Sequence, residues 1–286
     1  MTDKVKEIHV LGLSGGKDSA ALAYHLWKKM PDIDFQYFFT DTGEELPEAY
    51  DFINKLESVI CKPGNKIHRL NNEKSFKWWL KQNSYFLPSH QARWCTLNMK
   101  LFPFKRWIKK FLDEGYQVYS YVAIRADEEY RQGYVSDHKN LHVKLPFRDE
   151  GIDKAGVLEI LESSGLGLPK YYEWRSRSGC TFCFFQQKIE WVRLKERHPD
   201  AFEYAKSLEK TAVDHGSPFT WSHGESLEEL EKPKRVIQIK EDFEKRVERE
   251  KNRPDKYVNP LRADVVDIDD LYGVDEGNGS CNICHK

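Results

Sequence analysis

The sequence predicts an α/β fold: a doubly wound, mostly parallel sheet of the Rossmann-like kind, followed by a helical C-terminal module. Two observations carry this. Short apolar runs alternate with amphipathic helical segments through the first half of the 286 residues, which is the pattern of βαβ units. A glycine pair, Gly15-Gly16, stands directly after the first apolar run and before the first helical segment, where open α/β sheets bind ligands.

Taken in order, residues 8–13 read as a buried strand and 17–30 as the helix after it. Residues 35–40 form the second strand, and Pro47, whose fixed φ suits a first helical turn, opens a helix to residue 60. Residues 66–70 and 117–124 are further strands, with helices over 75–81 and 97–112. After Gly151 the pattern changes to helices separated by turns: 157–164, ended by Gly165, then 188–197 and 199–211. Residues 232–256 mix both charges along a helix with a partial stripe of Ile and Val, and read as a solvated face. The expected division is an α/β nucleotide-binding domain over 1–152 and a mainly helical module over 153–286 that carries two Cys-x-x-Cys pairs.

A hydrophobic fraction of 40% is enough for a sizeable core. Lys and Arg (45) almost cancel Asp and Glu (46), so no whole-molecule field draws the chain to nucleic acid or a membrane, and any such contact has to be local. No run approaches the length of a membrane span, and residues 1–4 lack an apolar signal core, so a cytoplasmic location and no membrane partner are expected. In a reducing compartment the Cys-x-x-Cys spacing reads as metal ligation before disulfide. Cys61 has no partner pattern and reads as packing, as do Trp174, Trp191, Phe184 and Phe185.

The loop Ser14-Gly15-Gly16-Lys17-Asp18-Ser19 between strand and helix lets backbone approach a ligand while helix N-terminal amides face it, an anion cradle. Its spacing fits neither a Walker A loop nor Gly-x-Gly-x-x-Gly, which weighs against a kinase or dehydrogenase. Ser-Gly-Gly-x-Asp-Ser after a first strand resembles the pyrophosphatase loop of the adenine nucleotide α-hydrolases (the PP-loop superfamily), and the Lys version resembles the phosphoadenosine phosphosulfate (PAPS) reductase family. The resemblance implies that Ser14, Gly15, Gly16, Lys17, Asp18 and Ser19 hold the phosphates of ATP or PAPS. Asp41-Thr42-Gly43, just past the second strand, is similar to the family's Thr-Gly-x-Glu segment beside the adenosine. Arg125, Asp127 and Arg131, at the end of a later strand, resemble its Gly-Ile-Arg-x-Asp-Glu-Ser segment, with Ala123 and Glu129 departing from it. Arginine offers a donor fork suited to phosphate or sulfate oxygens, and a nearby carboxylate either positions it or holds Mg²⁺. Lys17, Asp18 and Arg125 are the catalytic candidates, with Asp41 and Asp127 weaker candidates for the metal.

Arg93-Trp94-Cys95, with Lys100 and Pro103, resembles the family's Cys-Cys-x-x-x-Lys-x-x-Pro segment, and Cys180-Thr181-Phe182-Cys183 its later Cys-x-x-Cys. In iron–sulfur members four such thiolates hold a 4Fe-4S cluster. Here Trp94 replaces one cysteine, and Cys284 or Cys281 of the tail is the candidate fourth ligand beside Cys95, Cys180 and Cys183. The alternative is a structural Zn²⁺ on Cys180, Cys183, Cys281 and Cys284.

Reductases of the family carry a C-terminal Glu-Cys-Gly-x-His segment, which this chain lacks. The resemblance therefore points first to an ATP pyrophosphatase that adenylates an acceptor in a sulfur-transfer or nucleic-acid-modification pathway, as in DNA phosphorothioation. A sulfur donor or redox protein is the implied partner, with nucleic acid as an acceptor. PAPS or adenylyl-sulfate reduction is the alternative, and a nucleotide- and redox-sensing module without turnover is the third reading.

Overall fold

A computed structural model of the chain describes residues 6–128, 131, 138–222 and 224–251. Strands β1 (Glu7–Leu13), β2 (Phe35–Thr40), β3 (His68–Leu70), β4 (Gln117–Tyr121) and β5 (Leu141–Lys144) form one sheet in the order β3-β2-β1-β4-β5. Every pairing is parallel, with His9 beside Phe35, Ile8 beside Val118, Phe38 beside His68 and Val118 beside Leu141. The chain winds outwards from β1 to β3, then returns to the other side of β1 to add β4 and β5. The doubly wound parallel sheet expected from the sequence is thus observed, and its winding reverses between β1 and β4. β5 is absent from the sequence reading, because Leu-His-Val-Lys is too short and too polar to show a period.

The helices are α1 (Lys17–Lys29), α2 (Pro47–Ile60), α3 (Phe76–Gln82), α4 (Trp94–Thr96), α5 (Phe102–Asp113), α6 (Pro146–Asp149), α7 (Lys154–Ser163), α8 (Lys188–Arg197), α9 (Pro199–Asp214), α10 (Leu227–Leu230) and α11 (Pro233–Lys251). A π-type turn, Leu97–Leu101, joins α4 to α5, with the Phe102 N–H donating to the Leu97 carbonyl. Pro103, the second residue of α5, has no N–H to return to the preceding turn, which accounts for the widened ladder there.

The described residues form two compact units, one of 6–75, 95–128, 131 and 138–171, the other of 76–94, 172–222 and 224–251. This corrects the expected boundary at residue 152 in two respects. α7 packs with the sheet unit, since Val157 and Leu161 join the buried cluster of Leu11, Leu22, Phe39 and Ile53. Residues 76–94 belong instead with the C-terminal helices. The apolar faces decide both, because each short helix must bury its stripe somewhere.

In the first unit successive residues of β1 face opposite layers: Leu11 joins the α1, α2 and α7 side, while Val10 joins Phe38, Phe104, Trp107 and Ile108 on the α5 side. Gly12 makes the second layer possible, because a Cβ there would lie 2.8 Å from the Phe38 ring, which stacks on Phe104 with centroids 4.8 Å apart. In the second unit Phe76 contacts Trp94 at 4.9 Å and Phe182 at 4.8 Å, and Phe182 contacts Trp221 at 5.3 Å. Each large side chain so buried contributes about 1.5–3 kcal/mol before entropy is counted. Trp174 and Trp191 are fully enclosed in this unit, as their packing role requires. Among the described residues no helix is long and apolar enough to cross a membrane.

Candidate functional site

The loop after β1 turns at Gly15, whose φ of +73° is left-handed and suits glycine. Its hydroxyls then fold it on itself. The Ser14 N–H donates to Ser19 Oγ at 3.1 Å, the two hydroxyl oxygens lie 3.0 Å apart, and the Gly16 N–H donates to Ser14 Oγ at 3.2 Å. α1 follows with Gly16 as its N-cap. The helix therefore presents its N-terminal amides and dipole to whatever lies beyond the sheet edge. Lys17, Asp18 and Ser19 are each 3% exposed or less.

Arg125, four residues past β4, reaches across the point of winding reversal to this loop, with Nη1 donating to Asp18 Oδ1 at 3.2 Å. Lys17 Nζ lies 3.4 Å from the other Asp18 oxygen. The remaining edge of the guanidinium is bidentate on Asp127, Nε and Nη2 each 2.9 Å from one carboxylate oxygen. Burial works against the charge on Arg125, but Asp18, Asp127 and Glu128 outweigh it and hold the group well above the usual guanidinium range. Burial likewise disfavours the charge on Asp127, and the hydrogen bond from Arg125 overrides it, leaving that carboxyl below its ordinary range. Of the two roles left open for Asp127, both its oxygens serve the positioning of Arg125.

Glu128 and Arg131 complete the turn. The Arg125 N–H donates to Glu128 Oε2 at 3.2 Å, and Arg131 Nη1 to Glu128 Oε1 at 2.8 Å. Lys17, Arg125 and Arg131 thus stand against Asp18, Asp127 and Glu128, a charge-balanced set with all but Asp127 7% exposed or less.

The segment after β2 closes on itself: Asp41 Oδ1 accepts from the Gly43 N–H at 2.9 Å and from the Tyr50 hydroxyl at 2.7 Å. Thr42 Oγ1 donates to Glu45 Oε1 at 3.1 Å, and Lys100 Nζ lies 3.8 Å from that same oxygen. Asn72 Nδ2 also donates to the Asn98 carbonyl. The helical stretch that begins beside Cys95 is thereby tied to the edge of the sheet that carries Asp41, Thr42 and Gly43.

In the second unit, Cys180 and Cys183 lie on one turn, both half-buried and neither in a disulfide. Arg175, fully buried, holds that turn: Nη1 donates to the Ser178 and Cys180 carbonyls at 3.2 and 2.7 Å, and Nη2 to the Thr181 carbonyl at 3.0 Å. Glu190, also fully buried, accepts from the Ser176 N–H at 2.6 Å and caps α8 through the Gln187 N–H at 3.1 Å. Cys95 belongs to the first unit, and Cys281 and Cys284 lie outside the described residues. Among the described residues no group of three or more Cys, His, Asp or Glu is assembled to hold a metal ion. Cys61 packs at the edge of the first unit's core, as expected of it.

Three residues of the site carry no sequence signal. The fully buried Tyr171 donates its hydroxyl to the Gly15 carbonyl at 3.0 Å, fixing the loop from a 3₁₀ turn 156 residues away. Arg148 of α6 donates to the Glu128 and Arg131 carbonyls at 2.9 and 2.6 Å. Tyr50 is the third. Only the recurrence of Glu128 in the family segment hinted at this turn.

Residues 8–134 match the phosphoadenosine phosphosulfate reductase domain family. The chain is 28% identical over 227 residues to an uncharacterized protein of Methanocaldococcus jannaschii, covering 77% of this chain and 45% of that one. It is 25% identical over 182 residues to the tRNA-specific 2-thiouridylase MnmA of Shewanella sediminis, covering 55% and 48%. Among solved structures, the phosphoadenylyl-sulfate (PAPS) reductase of Candida auris aligns with a TM-score of 0.46 at 15% identity, over 60% of this chain and 80% of that one. The chain spans about half the length of the curated relatives it matches.

Proposed function

We propose that this chain, whose residues 8–134 match the phosphoadenosine phosphosulfate reductase domain family, is an ATP pyrophosphatase of the PP-loop superfamily that adenylates an acceptor in a sulfur-transfer or nucleic-acid-modification pathway. The observation that carries the reading is the N-terminus of α1, which Gly15 and Gly16 place at the winding reversal with Lys17 and Arg125 beside it. Oriented amides and a fixed guanidinium fork stabilise charge that develops on phosphate oxygens, and they require no reorganisation as the bond breaks. The adenosine lies toward Asp41, Thr42 and Gly43, at the carboxyl edge of β2.

In this reading an acceptor oxygen attacks the α-phosphate, the bond to the β-phosphate breaks, and pyrophosphate leaves on the loop. Lys17 and Arg125 bind the departing oxygens. Asp18 holds both cations in place and Asp127 orients Arg125. A triphosphate carries more negative charge than Lys17 and Arg125 offset, and Mg²⁺ brought with the nucleotide would supply the balance.

The organised turn at Cys180 and Cys183 offers two thiols at Cys-x-x-Cys spacing, the donor type that both a 4Fe-4S cluster and Zn²⁺ require. In the cluster reading Cys95 and Cys284 complete the set; in the zinc reading Cys281 and Cys284 do. Iron and zinc analysis of anaerobically purified protein separates the two.

The family match also favours a second reading, reduction of PAPS, in which a tail cysteine serves as the nucleophile. Purified protein with Mg²⁺ is given ATP or PAPS anaerobically, with a thiol reductant, and pyrophosphate and sulfite are followed. Pyrophosphate from ATP is the expected product. Sulfite from PAPS without pyrophosphate from ATP would overturn the primary reading in favour of the second.

A further inference from the structure

We infer that the first unit carries a second small-molecule site, a cavity at the amino edge of the sheet that takes a monoanion with an aromatic or branched apolar body. It goes beyond the proposed activity and does not depend on it. The cavity, of about 540 Å³, is lined by the last turns of α1 and α2 and by the first residues of β2 and β3. The phosphate loop lies at the other end of α1, about 20 Å away for a helix of 13 residues. Sites for small ligands have this size, and combine an apolar wall with a few polar groups.

The apolar wall consists of Trp27, Ile33, Phe35, Ile60 and Ile67. Phe35, Ile60 and Ile67 belong to the buried core, whereas Trp27 is 37% exposed, with its indole against Tyr24 at 5.7 Å. Tyr37 supplies the fixed polar group. It lines the cavity at 5% exposure, and no described group hydrogen-bonds its hydroxyl. That hydroxyl lies within electrostatic reach of Cys61 and Asp34, both lining residues, which sets it toward the cavity. Burial, reinforced by these two, holds the phenol well above its ordinary range, so it stays protonated and donates. A donor held by the core rather than on a flexible stem binds a ligand oxygen with little ordering cost.

The charges select the ligand. Lys28, Lys62 and Lys66 line the cavity, and none of their ammonium groups is paired with a carboxylate. Asp34 is the acidic residue of the lining, and it accepts from Gln36 Nε2 at 3.1 Å. Cys61 adds no charge at neutral pH, because burial, with Glu57 nearby, pushes its thiol up to about 11. The carboxyl ends of α1 and α2 also face this edge, each equivalent to about half a negative charge. Three cations against one carboxylate and two such ends leave about one positive charge, which suits a monoanion better than the phosphates of a nucleotide. An inorganic anion would leave Trp27 uncovered, and an uncharged body would leave the lysines unmatched.

The test uses the full chain and naphthylacetate, an aromatic carboxylate, with naphthylacetamide as its uncharged counterpart, both followed by equilibrium dialysis with and without Mg·ATP. The carboxylate is expected to bind saturably, about tenfold more tightly than the amide, and Mg·ATP to leave it in place. Trp27→Ala at the exposed wall is expected to weaken it about tenfold, as is the double variant Lys62→Glu with Lys66→Glu, and Tyr37→Phe severalfold, all with unchanged circular dichroism. Bound carboxylate is also expected to slow alkylation of Cys61 by iodoacetamide severalfold, read by mass spectrometry on its peptide. Absence of saturable binding below about 1 mM overturns the inference, as does an amide that binds equally well. Displacement by Mg·ATP does the same, since it places the probe on the phosphate loop. So does unchanged affinity in both Trp27→Ala and the double lysine variant, whose exposed side chains lie outside the core and decide the matter if Tyr37→Phe fails to fold.

Discussion

The guanidinium of Arg125 donates to Asp18 Oδ1 across 3.2 Å, and 107 residues separate the two in sequence. This pair joins the loop after β1 to the segment after β4, so the two strands that flank the winding reversal are locked where a ligand is expected. Breaking a buried ion pair by removing one partner costs about 3–5 kcal/mol, because the other charge is left uncompensated. Arg125→Ala is therefore expected to lower the urea-unfolding free energy by about that amount, and Arg125→Lys to recover only part of it, since an ammonium cannot reproduce the bidentate contact with Asp127. A variant as stable as the wild type would contradict this.

Tyr171→Phe removes the hydrogen bond that the hydroxyl donates to the Gly15 carbonyl and keeps the ring. The expected loss of stability is about 0.5–1.5 kcal/mol. Because that carbonyl belongs to the phosphate loop, the Kd for ATP is expected to rise severalfold, with circular dichroism unchanged. Wild-type affinity in Tyr171→Phe would show that the loop holds its shape unaided.

Gly12→Ala places a methyl group 2.8 Å from the Phe38 ring, which Phe104 and Trp107 hold from the other side. Overpacking of this kind costs about 1–3 kcal/mol. Thermal denaturation measures it, and Phe38→Leu in the same chain is expected to return part of the loss by vacating the space.

Glu225 takes hydrogen bonds from Arg235 and Lys188, which bring its carboxyl down to about 2. A depressed acid stabilises the fold above the ordinary carboxylate range, and that contribution disappears as the pH falls through the folded value. The urea midpoint is expected to decline between about pH 4.5 and 2. Glu225→Gln should start lower and lose this limb; an unchanged acid limb would show that other carboxylates produce it.

Much of this fold is legible in the sequence. The runs at 8–13 and 35–40 are mostly apolar, interrupted by His9, Gln36 and Thr40, because β1 and β2 are covered on both faces, and that is the pattern of a central parallel strand. The loop motif is equally plain, since its serines, glycines and lysine are adjacent and need only local geometry. What the sequence hides is tertiary. Tyr171 and Arg148 act on backbone carbonyls, which leave no side-chain pattern to match. α7 reads as part of the later helical run, yet Val157 and Leu161 find their partners on α1, and only the folded chain decides that.

The most direct test of the central claim is calorimetric titration of Mg·ATP, and of PAPS, into the wild-type chain and into Lys17→Ala. Binding needs no acceptor, so it isolates the loop from the chemistry that follows. The account predicts saturable binding of one nucleotide to the wild type and a loss of at least tenfold in Lys17→Ala, equivalent to about 1.4 kcal/mol. Equal affinity in the two proteins, or no binding by the wild type, would contradict it.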